Sequence, residues 1–295
     1  VTVGSHPYPD DARQFGAIGN HLSTGSPMNG ATFNADNTIE ATQAPDILSA
    51  YSTMPWEVKQ SYDATGGQLI DPGLEEPMLI EKVVVEGPGV VSVIMKGRGL
   101  DKLGAQGGQF FSWRFMTKGH WWMSHPYSLS AAPTAHYMRV TIKDLGDHSK
   151  DVRNLKPGTR VFFEGPYGTF VANTSTRGHV VLIGGGVGIT PLRALMEELD
   201  PTKVVDVIFR ASKAEDLVLR AELDELAASR GAKVHYLVGS RKEHPMTAKY
   251  IMKYVPAFRD SDVYVCGPTP LVNAVHDAAV SCGIPKDRIH DEAFE

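Results

Sequence analysis

The chain has 295 residues, 42% of them hydrophobic and 21% charged, with a formal net charge of −5. That length suits about two globular domains at ~100–200 residues each, and an acidic balance excludes the basic footprint of a general nucleic-acid binder. Two cysteines, Cys266 and Cys282, are too few for a disulfide framework or a four-ligand zinc site, and they fit a reducing compartment.

Residues 1–75 are rich in Gly, Ser, Thr, Asn, Asp and Pro and carry little periodicity. A helix is predicted over 46–52, stopping before Pro55, with loop elsewhere. Tyr51, Trp56 and Tyr62 suggest that the segment packs somewhere. No apolar run approaches the ~18 residues of a membrane span. The chain starts at Val1 without a basic-then-apolar leader, so a trimmed or processed chain, or a fragment, is expected.

From about residue 76 to 178 the signals are short strands. Residues 79–85 and 90–95 are apolar and β-branched, separated by Glu86-Gly87-Pro88-Gly89. Residues 137–143 alternate, with Met138, Val140 and Ile142 on one face, and 160–164 form a further strand closed by Gly165-Pro166. Strands at this spacing predict a small β-barrel.

From 179 to 295 the rhythm is strand, helix, strand, helix. Strands are predicted at 179–183, 203–209, 233–238 and 262–265. Helices are predicted at 191–199, around Leu219, Leu223 and Leu226, at 248–254 and at 270–281. Alternating units of this kind give a parallel sheet covered by helices, with ligands at the carboxyl ends of its strands.

Several motifs sit at these element ends. Gly184-Gly185-Gly186-Val187-Gly188-Ile189-Thr190-Pro191 leads from a strand into a helix. Bare glycines let a pyrophosphate approach the backbone, and a helix N-terminus offers free N–H groups. Thr190 is expected to cap that helix, with Pro191 in its first turn. The plain alternative is a tight strand–helix connection. Cys266-Gly267-Pro268 ends a later strand on the same rim, where a thiol can touch a nicotinamide ring or simply be a small buried residue. Cys282 continues the apolar stripe of Leu271, Val275 and Ala279 and belongs to the core.

His125-Pro126-Tyr127-Ser128, preceded by Trp121-Trp122, offers an aromatic ring to stack on a flat cofactor and a hydroxyl for a ring nitrogen. It reads equally as a strand with a half-buried aromatic. Gly146-Asp147-His148-Ser149 is a polar turn in which Ser149 can cap a short helix and present N–H groups to a phosphate. The histidines lack metal-ligand spacing, and no hydrolase or zinc-protease motif is present.

The order and separation of these motifs resemble the ferredoxin–NADP reductase superfamily from about residue 77 onward. The His-Pro-aromatic-Ser form of His125–Ser128 resembles most the branch of ferric reductases and NADPH oxidase dehydrogenase domains. Leu145-Gly146-Asp147-His148-Ser149, Gly184–Pro191, Cys266-Gly267-Pro268 and the pair Glu292 and Phe294 stand where that likeness expects them. In many bacterial relatives such a region follows a haem-bearing membrane domain. Residues 1–75 match nothing in the resemblance.

The resemblance implies an FAD-binding β-barrel followed by an α/β domain for NADP, with NAD as the alternative. Tyr127 and Ser128 would hold the flavin ring, and His125, Gly146 and Ser149 its pyrophosphate. His125 stands where the family usually has Arg, giving one donor in place of a charged fork. Gly184, Gly185, Gly186, Gly188, Thr190 and Pro191 would cradle the nucleotide. Cys266, Gly267 and Pro268 would border the nicotinamide, and Phe294 would cover the flavin where that ring enters. Ser128, Cys266 and Phe294 are the candidates nearest the chemistry.

The implied activity is hydride transfer from NAD(P)H to FAD, then electron delivery to a haem membrane domain, a ferric chelate or an iron–sulfur protein. The setting would be cytoplasmic, or the cytoplasmic face of a membrane protein. A reductase of free flavin and a non-catalytic redox-sensing module stay open. For the nucleotide, Arg210, Ser240 and Arg241 lie at strand ends on one rim and are expected to converge on a 2′-phosphate, favouring NADPH. Glu215, Asp216 and Glu243 nearby weigh against it.

Overall fold

The computed structural model describes residues 77–117, 123–144, 146 and 149–294. The helix predicted over 46–52, the aromatics Tyr51, Trp56 and Tyr62, the Trp121-Trp122 pair, and Leu145, Asp147 and His148 lie outside the described residues.

The first unit is an antiparallel barrel of β1 (Met78–Gly87), β2 (Val90–Lys96), β3 (Phe110–Phe115), β4 (His125–Ser128), β5 (Tyr137–Lys143) and β6 (Arg160–Tyr167). The order is β4-β3-β6-β1-β2-β5, and the Leu129–Val140 bridge closes the ring between the end of β4 and β5. Period-two burial drives it. In β5, Met138, Val140 and Ile142 are buried while Tyr137 and Lys143 face solvent. In β3 the buried positions are Phe111, Trp113 and Phe115. The rings of Phe111, Trp113 and Phe163 meet at centroid distances of 5.1 to 5.5 Å and fill the barrel. A short helix, α1 (Ser149–Val152), precedes β6.

The second unit is a parallel sheet of β7 (His179–Gly185), β8 (Val204–Ala211), β9 (Lys233–Val238), β10 (Asp262–Pro268) and β11 (Ile289–Phe294) in the order β11-β10-β7-β8-β9. Its helices are α2 (Ile189–Glu198), α3 (Arg220–Arg230), α4 (Ala248–Tyr254) and α5 (Thr269–Ser281). Central β7 carries an unbroken apolar run, Val180 to Ile183, as a strand covered on both faces requires. One face packs Leu192 and Leu195 of α2 with Leu223 of α3; the other packs Ile251 of α4 with Val275 of α5. No helix among the described residues is long and apolar enough to cross a membrane.

Three details differ from the sequence expectations. β8 continues through Arg210 to Ala211, and β10 through Cys266-Gly267 to Pro268, so these residues are inside strands and not beyond them. Thr190 does not cap α2. A 3-10 turn over Gly186–Gly188 runs straight into the helix, Gly188 takes the cap position, and Thr190 is buried one residue inside. Leu219 precedes α3, at φ 54, and does not belong to its helical stripe.

Candidate active site

The glycine turn is built by close packing. A Cβ on Gly188 would stand 2.3 Å from the Cys266 carbonyl oxygen, and one on Gly185 would stand 2.4 Å from Leu271 Cδ2. Gly186 differs: it takes φ +56 and nothing lies within 4 Å of where its Cβ would be. Two glycines therefore let β7, β10 and α5 meet, while the third leaves bare backbone facing open space. α2 starts there without a side-chain cap, and the Ile189 N–H bonds back to the Gly186 and Val187 carbonyls. That combination fits a diphosphate.

Gly185, Gly186, Pro268 and Phe294 line a cavity of about 850 Å³ at the carboxyl rim of the sheet. Its size is that of a nucleotide-scale ligand site, and its place is where ligands bind in open α/β sheets. Lys143 of the barrel reaches the same cavity.

The far wall is the loop after β9. Arg210, Ser240 and Arg241 all line the cavity, but their chemistry differs. Arg210 is buried and donates to the carbonyls of Leu237 (2.7 Å), Gly239 (3.4 Å) and Ser240 (3.3 Å). Its terminal nitrogens hold the loop, because β8 runs two residues further than predicted and carries the guanidinium under it. The Ser240 N–H donates to Glu243 at 2.6 Å, and the Ser240 hydroxyl accepts from the Glu243 N–H. Hydrogen bonding from the Ser240 N–H first, and from its side chain, holds the Glu243 carboxyl below its ordinary range. His244 completes the brace, with Nε2 3.0 Å from the Val238 carbonyl and Nδ1 2.6 Å from the Tyr250 hydroxyl.

The other side of the site is β4. His125 and Tyr127 lie near-parallel with centroids 6.0 Å apart, and the Tyr127 carbonyl accepts from Trp113 Nε1 at 2.9 Å. Burial pushes the Tyr127 phenol up. The Ser128 hydroxyl donates across to Glu292 of β11 at 3.4 Å. On β11, His290, Glu292 and Phe294 share one face, opposite Tyr264, Cys266 and Pro268 of β10. Burial first, and Asp291 beside it, push the Glu292 carboxyl up to about 7, against the Ser128 bond. Burial, then Glu292, push the Cys266 thiol well above its ordinary value, so it is a neutral thiol and not a nucleophile. Burial pulls His290 down, against Asp262, Asp287 and Asp291. The Ser128 hydroxyl and the Glu292 carboxyl meet between the two units, while the half-buried Tyr127 ring packs against the barrel core beside His125; a hydroxyl and a carboxyl there fit the hydrogen-bonding edge of a flat conjugated ring.

An FAD-binding domain model matches residues 76–171, and an oxidoreductase NAD-binding domain model matches 182–277. The chain belongs to the ferredoxin–NADP reductase superfamily. Its paired domains are those of an FAD-dependent NAD(P)H oxidoreductase. Among superfamily relatives, it is 29% identical to flavohemoprotein B of Dictyostelium discoideum over 57% of this chain and 44% of that one. It is also 29% identical to NADH-cytochrome b5 reductase 1 of Meyerozyma guilliermondii, over 85% of this chain and 92% of that one. The chain spans less than half the length of the flavohemoproteins of Dictyostelium discoideum and Oceanobacillus iheyensis that it matches, and 69% of that of Bacillus subtilis. The solved FAD/NAD-binding domain of nitric oxide dioxygenase from Vibrio cholerae has the same fold, with a TM-score of 0.65 at 24% identity over 74% of this chain and 98% of that one. These names do not single out the ferric reductase and NADPH oxidase branch.

Within this superfamily frame the structure brings seven of the residues singled out in the sequence to one cavity. Gly185, Gly186, Pro268, Phe294, Arg210, Ser240 and Arg241 share the cavity wall. Gly184, Gly188, Thr190, Pro191 and Gly267 lie behind it as packing, and Cys266 joins the core cluster beside Phe294. Gly146 is described, and Ser149 opens α1. Sequence reasoning gave no part to the Glu292 carboxyl, to Lys143 or to the brace of Glu243 and His244. The alternation His290, Glu292, Phe294 on one strand was the signal for the first. The others depend on how loops fold back.

Proposed function

We propose that this chain takes a hydride from NAD(P)H onto FAD and passes electrons singly to a haem, ferric chelate or iron–sulfur acceptor. The observation that carries the proposal is the meeting of Ser128 with Glu292 beside Phe294, at the seam between the barrel and the nucleotide cavity. Relatives named flavohemoprotein and NADH-cytochrome b5 reductase support a haem-type acceptor.

FAD when bound supplies the chemistry of accepting a hydride and releasing single electrons. The chain's own residues orient and insulate. Tyr127, with His125 alongside, would stack on the ring and Ser128 would bond its polar edge. Gly146 and Ser149 would meet its pyrophosphate. Glu292, titrating about neutrality, can hold or release a proton at the Ser128 hydroxyl. Phe294 covers the seam against water. Gly185, Gly186 and the start of α2 would hold the nucleotide diphosphate, with Gly184 packed behind them, and Cys266 would border the nicotinamide as a neutral group.

NADPH is the nucleotide proposed, on the charge of Arg241 in the cavity wall, with Arg210 holding the loop that carries it. Glu243 opposes it. The likeness of His125–Ser128 to the ferric reductase branch supports a membrane-linked acceptor reached through another domain or partner. Purified protein tests the proposal simply: it should carry flavin absorbance, or gain it on adding FAD. Protein that stays colourless after FAD is added and excess removed would sink it.

A further inference from the structure

A largely buried charge network joins the strand that would hold the flavin to the helix that follows the glycine turn. Arg193 of α2 and Arg139 of β5 are only 11% and 13% exposed at their side chains. Both donate to the Ser130 carbonyl, Arg139 at 2.7 Å and Arg193 at 3.2 Å. Ser130 lies two residues beyond Ser128, and Arg193 lies five beyond Gly188. Glu222 of α3 accepts from Arg139 at 2.9 and 3.0 Å, and its Oε2 is 2.8 Å from Arg193 Nε. Glu197 is 3.0 Å from Arg193 and accepts the Ala132 N–H at 2.6 Å. The charges balance at two of each sign, with the two guanidinium groups the buried members and Glu197 and Glu222 27% and 39% exposed.

The barrel end of this network is rigid. The Ser130 hydroxyl accepts from Thr141 at 2.8 Å and from Arg139 Nε at 3.1 Å, and Thr141 pairs with buried Ser92 at 2.8 Å. Sliding α2 against β4 would therefore break guanidinium bonds to a fixed carbonyl. It would also move the glycine turn relative to Ser128. We propose that Arg193, held by Glu222 and Glu197, is a positioning residue that sets the separation between the flavin strand and the nucleotide turn. This rests on the proposed function. Hydride transfer needs the reacting atoms within roughly 3–3.5 Å, and a displacement of about 1 Å costs on the order of a hundredfold.

The experiment compares parent, Arg193→Met, Arg193→Lys and Glu222→Gln as full chains loaded with FAD. Fluorescence titration gives the FAD affinity, titration with oxidised NADP gives the nucleotide affinity, and adding oxidised NADP anaerobically to the photoreduced protein gives the long-wavelength charge-transfer absorbance. Anaerobic rapid mixing gives the hydride-transfer rate. Arg193→Met is expected to slow hydride transfer by at least about tenfold and weaken the charge-transfer band, while both affinities change by less than about threefold. Arg193→Lys, which keeps the charge but not the fork, should fall between. An unchanged rate and band alongside a lower melting temperature would overturn the proposal. So would affinities that fall by the same factor as the rate. If Arg193→Met does not fold, Glu222→Gln keeps both arginines and nearly the same volume and must show the same split. A parent that takes no hydride overturns the proposed function and this inference together; a competent parent with unaffected variants overturns this inference alone.

Discussion

The Ser128 hydroxyl donates to the Glu292 carboxylate at 3.4 Å, a bond that crosses from the barrel to the last strand of the parallel sheet. Glu292 is pushed up to about 7 from an ordinary 4.5, burial being the main cause. An acid raised in this way resists ionisation in the fold. Its favourable contribution is complete below about pH 4.5 and is lost as pH rises through about 7, by up to on the order of 3 kcal/mol. Glu292→Gln, which imitates the neutral acid, should raise the melting temperature at pH 8 clearly more than at pH 4.5. Thermal melts at the two pH values check this, and equal shifts would contradict it. In the parent, hydride transfer should also bend near pH 7, and the bend should be absent in the variant.

Two neighbouring glycines should behave oppositely. Gly188→Ala drives a methyl to 2.3 Å from the Cys266 carbonyl and should cost about 3 kcal/mol or more of stability. Gly186→Ala meets no atom, and its left-handed backbone costs only about 1 kcal/mol. Its methyl stands where a diphosphate would approach, so nucleotide affinity should fall at least about tenfold. Melting curves paired with nucleotide titration separate the two. A Gly186 variant that binds normally would remove the turn from the nucleotide site.

The wall residues make distinct kinetic predictions. Arg210→Ala frees three loop carbonyls and should raise KM for NADH and NADPH alike. Arg241→Ala should raise KM for NADPH alone. Glu243→Gln removes a carboxylate held against Ser240 and should improve kcat/KM for NADPH roughly two- to fivefold over NADH, more at low salt. A ratio unmoved by either Arg241→Ala or Glu243→Gln would place the 2′-phosphate elsewhere.

Tyr127→Ala should weaken FAD retention by about 0.5–1.5 kcal/mol beyond the area lost, through the missing ring stack. It leaves the backbone carbonyl that Trp113 uses, so the barrel should stay folded. Flavin released on dilution, compared with parent, measures the effect.

The architecture was legible because burial is periodic: Met138, Val140 and Ile142 announce a barrel strand, and Val180 to Ile183 a buried parallel one. The strand β3 was missed although Phe111, Trp113 and Phe115 alternate and Gly107-Gly108 precede them as a turn signal. The part Arg210 plays in holding the next loop was not legible because a strand end is a backbone event. Two further residues of β8 turned a solvent-facing cation into a buried support for the next loop. The Ser128–Glu292 bond and the Arg193 network join residues 164 and 63 positions apart, and no local pattern encodes such meetings.

The most direct test of the account mixes FAD-loaded protein with NADPH, and separately with NADH, under anaerobic conditions while flavin absorbance is followed. The account predicts a loss of the oxidised flavin bands in a single phase whose rate saturates with nucleotide concentration. Flavin bands that persist for minutes with both nucleotides at saturating concentration would contradict it.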